Sequence, residues 1–325
     1  MKVCIFGAGA VGSNVAARLS AAGNAEVSVV ARGAQLEAIR DRGVLLKTGG
    51  KEIKGTPAHA TNDPATLAPQ DVVIVTLKAH AVPPLAATFE RMLAPGGCLV
   101  FMLNGIQWWW NEGLRGKDGA LPLLDPERAL WDRLRKNTLG CVIYSPNELE
   151  APGVVFHVGA NKWLIGEPSG EATPRLQRVL DLLNAAGLTA EAPADLRAEI
   201  WRKLVNNASG NTLAALTRLT LYDMSRSPDL LDYAVRTMRE TLDVAAALGW
   251  DLRQEVDVVA VATRGAPGGT KPSMLQDVML GRPIEVEALL GQTQAFAREV
   301  GVPVPTIDAL VPLLRGLDQS LCART

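Results

Sequence analysis

The sequence lacks several features that would place a protein in a large functional class. Its 325 residues carry 33 Lys and Arg against 34 Asp and Glu, a formal net charge of -1, so no charge excess favours nucleic acid or a membrane surface as a partner. No uncharged apolar run reaches the roughly 18 residues of a membrane-spanning helix. We therefore expect no nucleic-acid partner and no membrane partner.

Cysteine and histidine are scarce, and their spacing fits no metal or redox motif. The four cysteines lie far apart, at Cys4, Cys98, Cys141 and Cys322. The three histidines show neither metal-ligand spacing nor the order of a catalytic triad. The first apolar stretch is interrupted by glycines, which favours a strand over a signal peptide. We expect reduced thiols, no bound metal and a cytoplasmic location.

What the chain does contain is a glycine motif placed between an apolar strand and a helix. Residues 2–6 predict the strand, Gly7, Gly9 and Gly12 form Gly-x-Gly-x-x-Gly, and residues 14–19 predict the helix. This order places backbone N–H groups and the positive end of the helix dipole where a pyrophosphate can bind. The alternative is a glycine turn without a ligand. The predicted cofactor-binding residues of this turn are Gly7, Ala8, Gly9, Ala10, Val11 and Gly12.

The second strand indicates which dinucleotide is bound. Residues 26–30 predict this strand, and Arg32 follows it where an NAD-binding protein usually carries an Asp or Glu for the ribose 2′-hydroxyl. A guanidinium cannot accept from a hydroxyl, but it can donate two parallel charged hydrogen bonds to a 2′-phosphate. We therefore predict NADPH or NADP as the cofactor. The alternative is an exposed Arg32 without a ligand.

Strands and helices alternate over residues 1–193, which predicts an α/β domain with a Rossmann-type doubly wound sheet. The nearly unbroken apolar runs 71–77 and 98–103 are typical of parallel strands covered on both faces. A glycine-flanked hairpin is expected within 44–54. Lys78 and Asn104 follow the two apolar strands, at the sheet edge where such folds bind ligands.

A region rich in Gly, Pro and charge, residues 108–137, interrupts this alternation. It begins with three tryptophans at 108–110, for which two roles are open, lining a pocket or packing the insert against the sheet. Two short strands, 141–144 and 154–158, follow, with a turn at Pro152-Gly153 between them. We expect both strands to return and extend the sheet.

In residues 194–325 amphipathic helices replace the strand patterns, which predicts an all-helical second domain and a substrate cleft beside the nucleotide domain. Lys203, Asn207 and Asn211 recur every fourth residue and so share one helical face. Asn is a weak helix former, so two of them within a helix indicate a tertiary reason. The alternative is a solvated helix face with an ordinary Lys.

Taken together, the motifs resemble those of one known family. Besides the glycine motif and Arg32 they are Thr76-Leu77-Lys78-Ala79, Asn104-Gly105, Trp201-Arg202-Lys203-Leu204 with Asn207 and Asn211, Lys271-Pro272-Ser273-Met274-Leu275-Gln276-Asp277 and Gly281-Arg282-Pro283-Ile284-Glu285-Val286-Glu287. In this order, over nearly the whole chain, the sequence resembles the ketopantoate reductases. The resemblance implies NADPH-dependent reduction of a 2-oxo acid, 2-dehydropantoate to pantoate, in pantothenate and coenzyme A biosynthesis.

The resemblance also implies a role for each residue of the site. Lys203 would be the general acid that protonates the keto oxygen, and Glu285 would lie near the ribose and the catalytic ammonium. Asn104 would lie between nicotinamide and substrate. The remaining implied contacts are substrate oxygens for Asn207 and Asn211, the substrate carboxylate for Ser273, and the cofactor for Lys78 and Arg32. Without the resemblance, a hydroxyl in the position of Ser273, after a proline, favours a helix cap.

Four positions depart from the family pattern: Leu103 where many members have His, Glu287 and Leu290 in place of Asp and Asn, and Leu221 in place of a frequent Asn. Fewer polar groups predict a pocket for a bulkier or more apolar 2-oxo acid. A 3-hydroxy acid or sugar-acid dehydrogenase and a non-catalytic NADPH-binding sensor stay open as alternatives. The expected partners are a small 2-oxo acid and, through helices of the second domain, a second copy of the chain.

Overall fold

The computed structural model describes residues 1–264 and 271–323, and the chain divides into two compact units. The first comprises Met1–Leu103 and Gln107–Leu196, and the second comprises Asn104–Ile106 and Arg197–Thr325. The first unit is α/β and the second is helical, as predicted. The second unit resumes at Arg197, and the domain boundary expected after residue 193 stays a prediction. No sequence pattern predicts that Asn104–Ile106 groups with the second unit.

The first unit contains twelve strands and five α-helices. The strands are β1 (Lys2–Phe6), β2 (Glu26–Val30), β3 (Val44–Thr48), β4 (Lys51–Gly55), β5 (His59–Thr61), β6 (Gln70–Val75), β7 (Leu93–Met102), β8 (Thr138–Tyr144), β9 (Asn147–Ala151), β10 (Val154–His157), β11 (Lys162–Gly166) and β12 (Thr189–Glu191). The helices are α1 (Ala10–Ala22), α2 (Gly33–Arg42), α3 (Ala86–Met92), α4 (Ala129–Leu134) and α5 (Pro174–Ala185).

Eight strands form the main sheet, in the order β12-β11-β8-β7-β6-β1-β2-β5. The strands from β5 through β8 in this order all pair in parallel. Side chains 72–75 and 98–101 are 0 % exposed, as expected for parallel strands covered on both faces. The strand order reverses between β1 and β6, the point at which doubly wound sheets bind ligands. The predicted doubly wound sheet is therefore confirmed.

Four strands form a second sheet, in the order β4-β3-β10-β9. The predicted hairpin is present, since β3 and β4 pair antiparallel. The expectation that both short strands extend the main sheet is half wrong. Only β8 does so, whereas β10 pairs in parallel with β3 and antiparallel with β9. The turn Pro152-Gly153 connects β9 to β10, and burial alternates along β10 as in a sheet with one covered face.

All three tryptophans of the insert are buried, and Trp108 and Trp109 pack against strands of the main sheet. Trp108, Trp109 and Trp110 are 2 %, 0 % and 2 % exposed. The Trp108 ring lies edge-on to Phe101 of β7, with 5.3 Å between centroids. A Cβ on Gly140 of β8 would lie 2.1 Å from the Trp109 ring, so only glycine allows this close packing. Of the two open roles, the structure supports packing of the insert.

In its described residues, the second unit is built mainly of helices. Its α-helices are α6 (Leu196–Asn206), α7 (Thr212–Thr217), α8 (Leu221–Ser225), α9 (Pro228–Ala247), α10 (Val258–Thr263), α11 (Ser273–Met279), α12 (Gln292–Val300) and α13 (Pro305–Cys322). Asn207–Asn211 and Glu287–Gly291 are π-helical segments. Among the helices of the described ranges, none combines the length and hydropathy needed to cross a bilayer.

Candidate active site

The glycine motif forms a tight turn between β1 and α1, and each glycine has a different reason to be there. Gly7 has φ +107°, a backbone conformation that favours glycine. A Cβ on Gly12 would lie 2.0 Å from the Gly7 carbonyl oxygen, so Gly12 permits close packing of α1 on the turn. Gly9 is exposed at the N-cap of α1, and no atom lies within 4 Å of the position of its Cβ. The turn therefore leaves open space at Gly9.

Thr76, directly after β6, holds this turn from the other side of the switch point. Its Oγ1 donates to the Gly7 carbonyl oxygen at 2.6 Å, and its N–H donates to the Phe6 carbonyl oxygen at 3.0 Å. Sequence reasoning assigned Thr76 no role of its own. The available signals were its place at the carboxyl end of the strand next to β1 and its place in the motif Thr76-Leu77-Lys78-Ala79.

The other predicted cofactor residues also follow strands of the main sheet. Arg32 is exposed at the N-cap of α2, two residues after β2, and within the described ranges its guanidinium makes no hydrogen bond or ion pair. Lys78 is half-buried and lies three residues after β6. Ala8 is buried within the turn, and Ala10 and Val11 begin α1. All of these residues lie at the carboxyl ends of parallel strands.

The second unit brings Lys203 and Asn104 together. Lys203, near the end of α6, donates from Nζ to Asn104 Oδ1 at 2.6 Å, and both residues are half-buried. Asn104 is neutral, so this bond orients the ammonium without cancelling its charge. The two residues lie far apart in the sequence, and only the fold makes them neighbours.

Backbone contacts explain why Asn104 lies with the helices. The Ile106 N–H donates to the Ala288 carbonyl oxygen at 2.8 Å. Gly105 has φ +76°, and a Cβ there would lie 2.2 Å from the same oxygen. The chain therefore approaches Ala288 at a distance that only glycine permits, and this approach fixes the position of Asn104 next to Lys203.

The helix that carries Lys203 changes type where the predicted polar face continues. We expected one α-helical face, but Asn207–Asn211 forms a π-helical segment between α6 and α7. Such segments are rare and occur frequently at functional sites. Asn207 is half-buried and Asn211 is 9 % exposed. The segment packs against the second π-helical segment, Glu287–Gly291, and against α11.

Ser273 and Glu285 lie on the elements around the first π-helical segment. Ser273 is exposed at the start of α11, and because Pro272 is the N-cap residue, the hydroxyl does not cap the helix. Glu285 is 7 % exposed and lies two residues before the second π-helical segment. The N–H of the preceding Ile284 donates to Asp318 Oδ1 of α13 at 2.7 Å.

Three residues that depart from the family pattern have structural surroundings of their own. Glu287 receives two hydrogen bonds from Arg315, at 2.7 and 2.8 Å, and this hydrogen bonding raises the pKa of the guanidinium. Leu290 is 0 % exposed. A Leu221 methyl lies 3.0 Å from the Cβ position of Gly210 in the first π-helical segment. An apolar side chain therefore borders the segment that carries Asn207 and Asn211.

Two family models match consecutive parts of the chain. The model described as ketopantoate reductase PanE/ApbA matches residues 3–170, and the model described as its C terminal part matches residues 195–318. A Mesorhizobium japonicum protein named 2-dehydropantoate 2-reductase is 38 % identical over 320 residues, which cover 98 % of both chains. The matches therefore span both units.

Solved structures show the same fold. A Ralstonia solanacearum MolK2 protein described as a ketopantoate reductase superposes with a TM-score of 0.88 and 34 % identity, covering 98 % of both chains. A ternary structure of D-mandelate dehydrogenase with NADH and anilino(oxo)acetate shares the fold, with a TM-score of 0.83, 22 % identity and 99 % of both chains covered. The chain belongs to the ketopantoate reductase family and is an oxidoreductase that acts on a CH–OH donor with a nicotinamide cofactor.

Proposed function

We propose that this chain uses NADPH to reduce a 2-oxo acid, and that 2-dehydropantoate, reduced to pantoate, is its substrate. The observation that carries the proposal is the 2.6 Å hydrogen bond from Lys203 Nζ to Asn104 Oδ1, at the point where α6 gives way to a π-helical segment. Ketone reduction needs a positioned, positively charged hydrogen-bond donor, because negative charge develops on the carbonyl oxygen. The Lys203 ammonium, held by the neutral Asn104 amide next to a rare helical geometry, fits this need.

Lys203 is the general acid of the proposed reaction. Hydride addition to a ketone places negative charge on the carbonyl oxygen, and a positioned ammonium stabilises that charge and donates the proton. Asn104 orients the ammonium. Asn207 and Asn211 would bind the remaining substrate oxygens, and the exposed hydroxyl of Ser273 would bind the substrate carboxylate. The buried carboxyl of Glu285 would hold the ammonium through a charged hydrogen bond.

The residues of the first unit fit a dinucleotide. When bound, NADPH supplies the hydride. The open space at Gly9, at the N-terminus of a helix of 13 residues, suits a pyrophosphate because the first backbone N–H groups of a helix have no partner within it. Arg32, without an ion pair in the described part of the chain, suits a 2′-phosphate. Lys78 adds a positive charge at the same sheet edge.

A bulkier or more apolar 2-oxo acid is the second candidate substrate. Leu221 borders Gly210 in the segment that carries Asn207 and Asn211. An apolar side chain beside these candidate substrate contacts favours an apolar substituent on the substrate. A 3-hydroxy acid dehydrogenase also remains a candidate. A sensor that only binds NADPH has no use for the Lys203–Asn104 pair.

Steady-state NADPH oxidation separates these candidates. We expect the highest kcat/KM with 2-dehydropantoate, compared with 2-oxo acids that carry larger alkyl or aryl groups. A higher value for an aryl 2-oxo acid, lowered by Leu221→Asn, would support the second candidate instead. If only 3-hydroxy acids are turned over, with reduction of NADP, the chain is the dehydrogenase. NADPH binding without turnover of any of these substrates would indicate the sensor. Pairing of two copies through the helical unit stays a prediction, which light scattering of the purified chain tests.

A further inference from the structure

Gln35, which no motif singles out, links three parts of the first unit through its side-chain amide. It lies in α2, three residues after Arg32. Its Nε2 donates to Ser13 Oγ of α1 at 3.0 Å, and its Oε1 accepts from the Gly153 N–H, in the turn between β9 and β10, at 3.0 Å. A backbone N–H can only donate, so Gly153 fixes the orientation of this amide.

Ser13 extends the connection into the glycine turn. It is 0 % exposed, and its Oγ donates to the Ala8 carbonyl oxygen at 3.1 Å. A hydroxyl has one hydrogen to donate, so Ser13 must accept from Gln35 in order to donate to Ala8. The series of bonds from Gly153 through Gln35 and Ser13 to Ala8 is therefore directional, with one donor and one acceptor at each step.

We propose that Gln35 is a positioning residue that holds the N-terminus of α2, and with it Arg32, at a set distance from the glycine turn. The inference deepens the proposed function, since it takes NADPH as the cofactor. The pyrophosphate and the 2′-phosphate of one dinucleotide are linked groups, and their contributions to affinity combine fully only if both sites are held at the spacing of the ligand. In this proposal Gln35 acts through Arg32 and Ala8 and is not itself a phosphate contact.

Gln35→Met tests the inference, because it keeps the length of the side chain and removes both hydrogen bonds. Binding of NADPH must then restore the position of Arg32. We set this cost at about that of one net hydrogen bond, which raises the Kd for NADPH about tenfold and leaves kcat at saturating NADPH unchanged. The Kd for ADP, which has a pyrophosphate but no 2′-phosphate, should change much less. The matched control is Gln177→Met in α5, and it should leave both Kd values unchanged. Among the described residues, the Gln177 amide hydrogen-bonds only within its own helix, to Asp181 at 2.8 Å.

Ser13→Ala breaks the same series of bonds at another step and serves as the second variant. The double variant Gln35→Met/Ser13→Ala should weaken NADPH binding no more than the single variant with the larger loss of affinity. Each substitution alone already breaks the same series of hydrogen bonds. Three results would overturn the inference without affecting the proposed function, provided that the wild type binds NADPH. They are additive losses of NADPH affinity in the double variant, equal losses of affinity for ADP and NADPH in Gln35→Met, and a Kd for NADPH that Gln35→Met leaves unchanged. A wild type that does not bind NADPH would instead overturn the proposed function together with this inference.

Discussion

Replacing Gly105 by Ala should lower turnover about a hundredfold in a protein that still folds. The new Cβ would lie 2.2 Å from the Ala288 carbonyl oxygen, whereas real Cβ contacts stay above 3.0 Å, so the backbone must shift by most of an ångström. The backbone of Gly105 also has φ +76°, where a residue with a Cβ costs about 1 to 2 kcal/mol. The substitution therefore acts on both position and stability.

The shift of Gly105 is transmitted to its neighbours on both sides. On one side it weakens the 2.8 Å hydrogen bond from the Ile106 N–H to Ala288, worth about 1 kcal/mol. On the other side it moves Asn104, and with it the acceptor that orients Lys203. A displacement of about 1 Å within a catalytic arrangement can cost about 10²-fold in rate, which sets the expected magnitude.

The assay is kcat with 2-dehydropantoate at saturating NADPH, together with the thermal unfolding midpoint. Gly249→Ala is the matched control, since Gly249 lies in the same unit at φ +103° and no atom lies within 4 Å of the position of its Cβ. Both variants bear the cost of left-handed backbone, so both should lose thermal stability, but only Gly105→Ala should lose turnover. A Gly105→Ala enzyme with the kcat of the wild type would refute the positioning of Asn104 by Ala288.

Three further predictions concern the first unit and the cysteines. Arg32→Ala should raise the KM for NADPH by roughly tenfold to a hundredfold and leave the KM for NADH nearly unchanged, and equal effects on both would remove the assignment to the 2′-phosphate. Gly9→Ala should keep the wild-type unfolding midpoint, because nothing lies near the new Cβ, yet weaken NADPH binding measured by calorimetry. Unchanged affinity would show that no pyrophosphate approaches Gly9. Burial raises the pKa of the Cys4 thiol to about 12 and that of Cys98 to about 11, so both stay protonated at pH 8. Iodoacetamide should then modify exposed Cys322 first in the native protein, as mass spectrometry would detect, and early labelling of Cys4 or Cys98 would contradict their burial.

Local patterns predicted the parallel strands at the centre of the α/β unit. The apolar runs of β6 and β7, the glycine turn and the position of Arg32 after β2 each depend on residues close together in the chain. The sheet that β10 joins could not be predicted in this way. A strand of four residues can join either sheet, and its pairing with β3 depends on a partner more than a hundred residues away.

The helical half could be predicted by type but not by geometry. The spacing of Lys203, Asn207 and Asn211 indicated a helix, and all three residues are helical, but their expected common α-helical face is interrupted by a π-helical segment. Helix propensity does not distinguish a π-helical segment from an α-helix, so the change at Asn207 was not foreseen. The grouping of Asn104 with Lys203 depends on Gly105 meeting the backbone of Ala288, a contact that no periodicity encodes.

In the proposed reaction the Lys203 ammonium delivers the proton while hydride reaches the ketone. Measuring kcat of Lys203→Ala with 2-dehydropantoate at saturating NADPH, together with the Kd for NADPH, tests this role. We expect kcat to fall by about 10² to 10⁴-fold with the cofactor affinity mostly retained. A variant that turns over near the wild-type rate would contradict it.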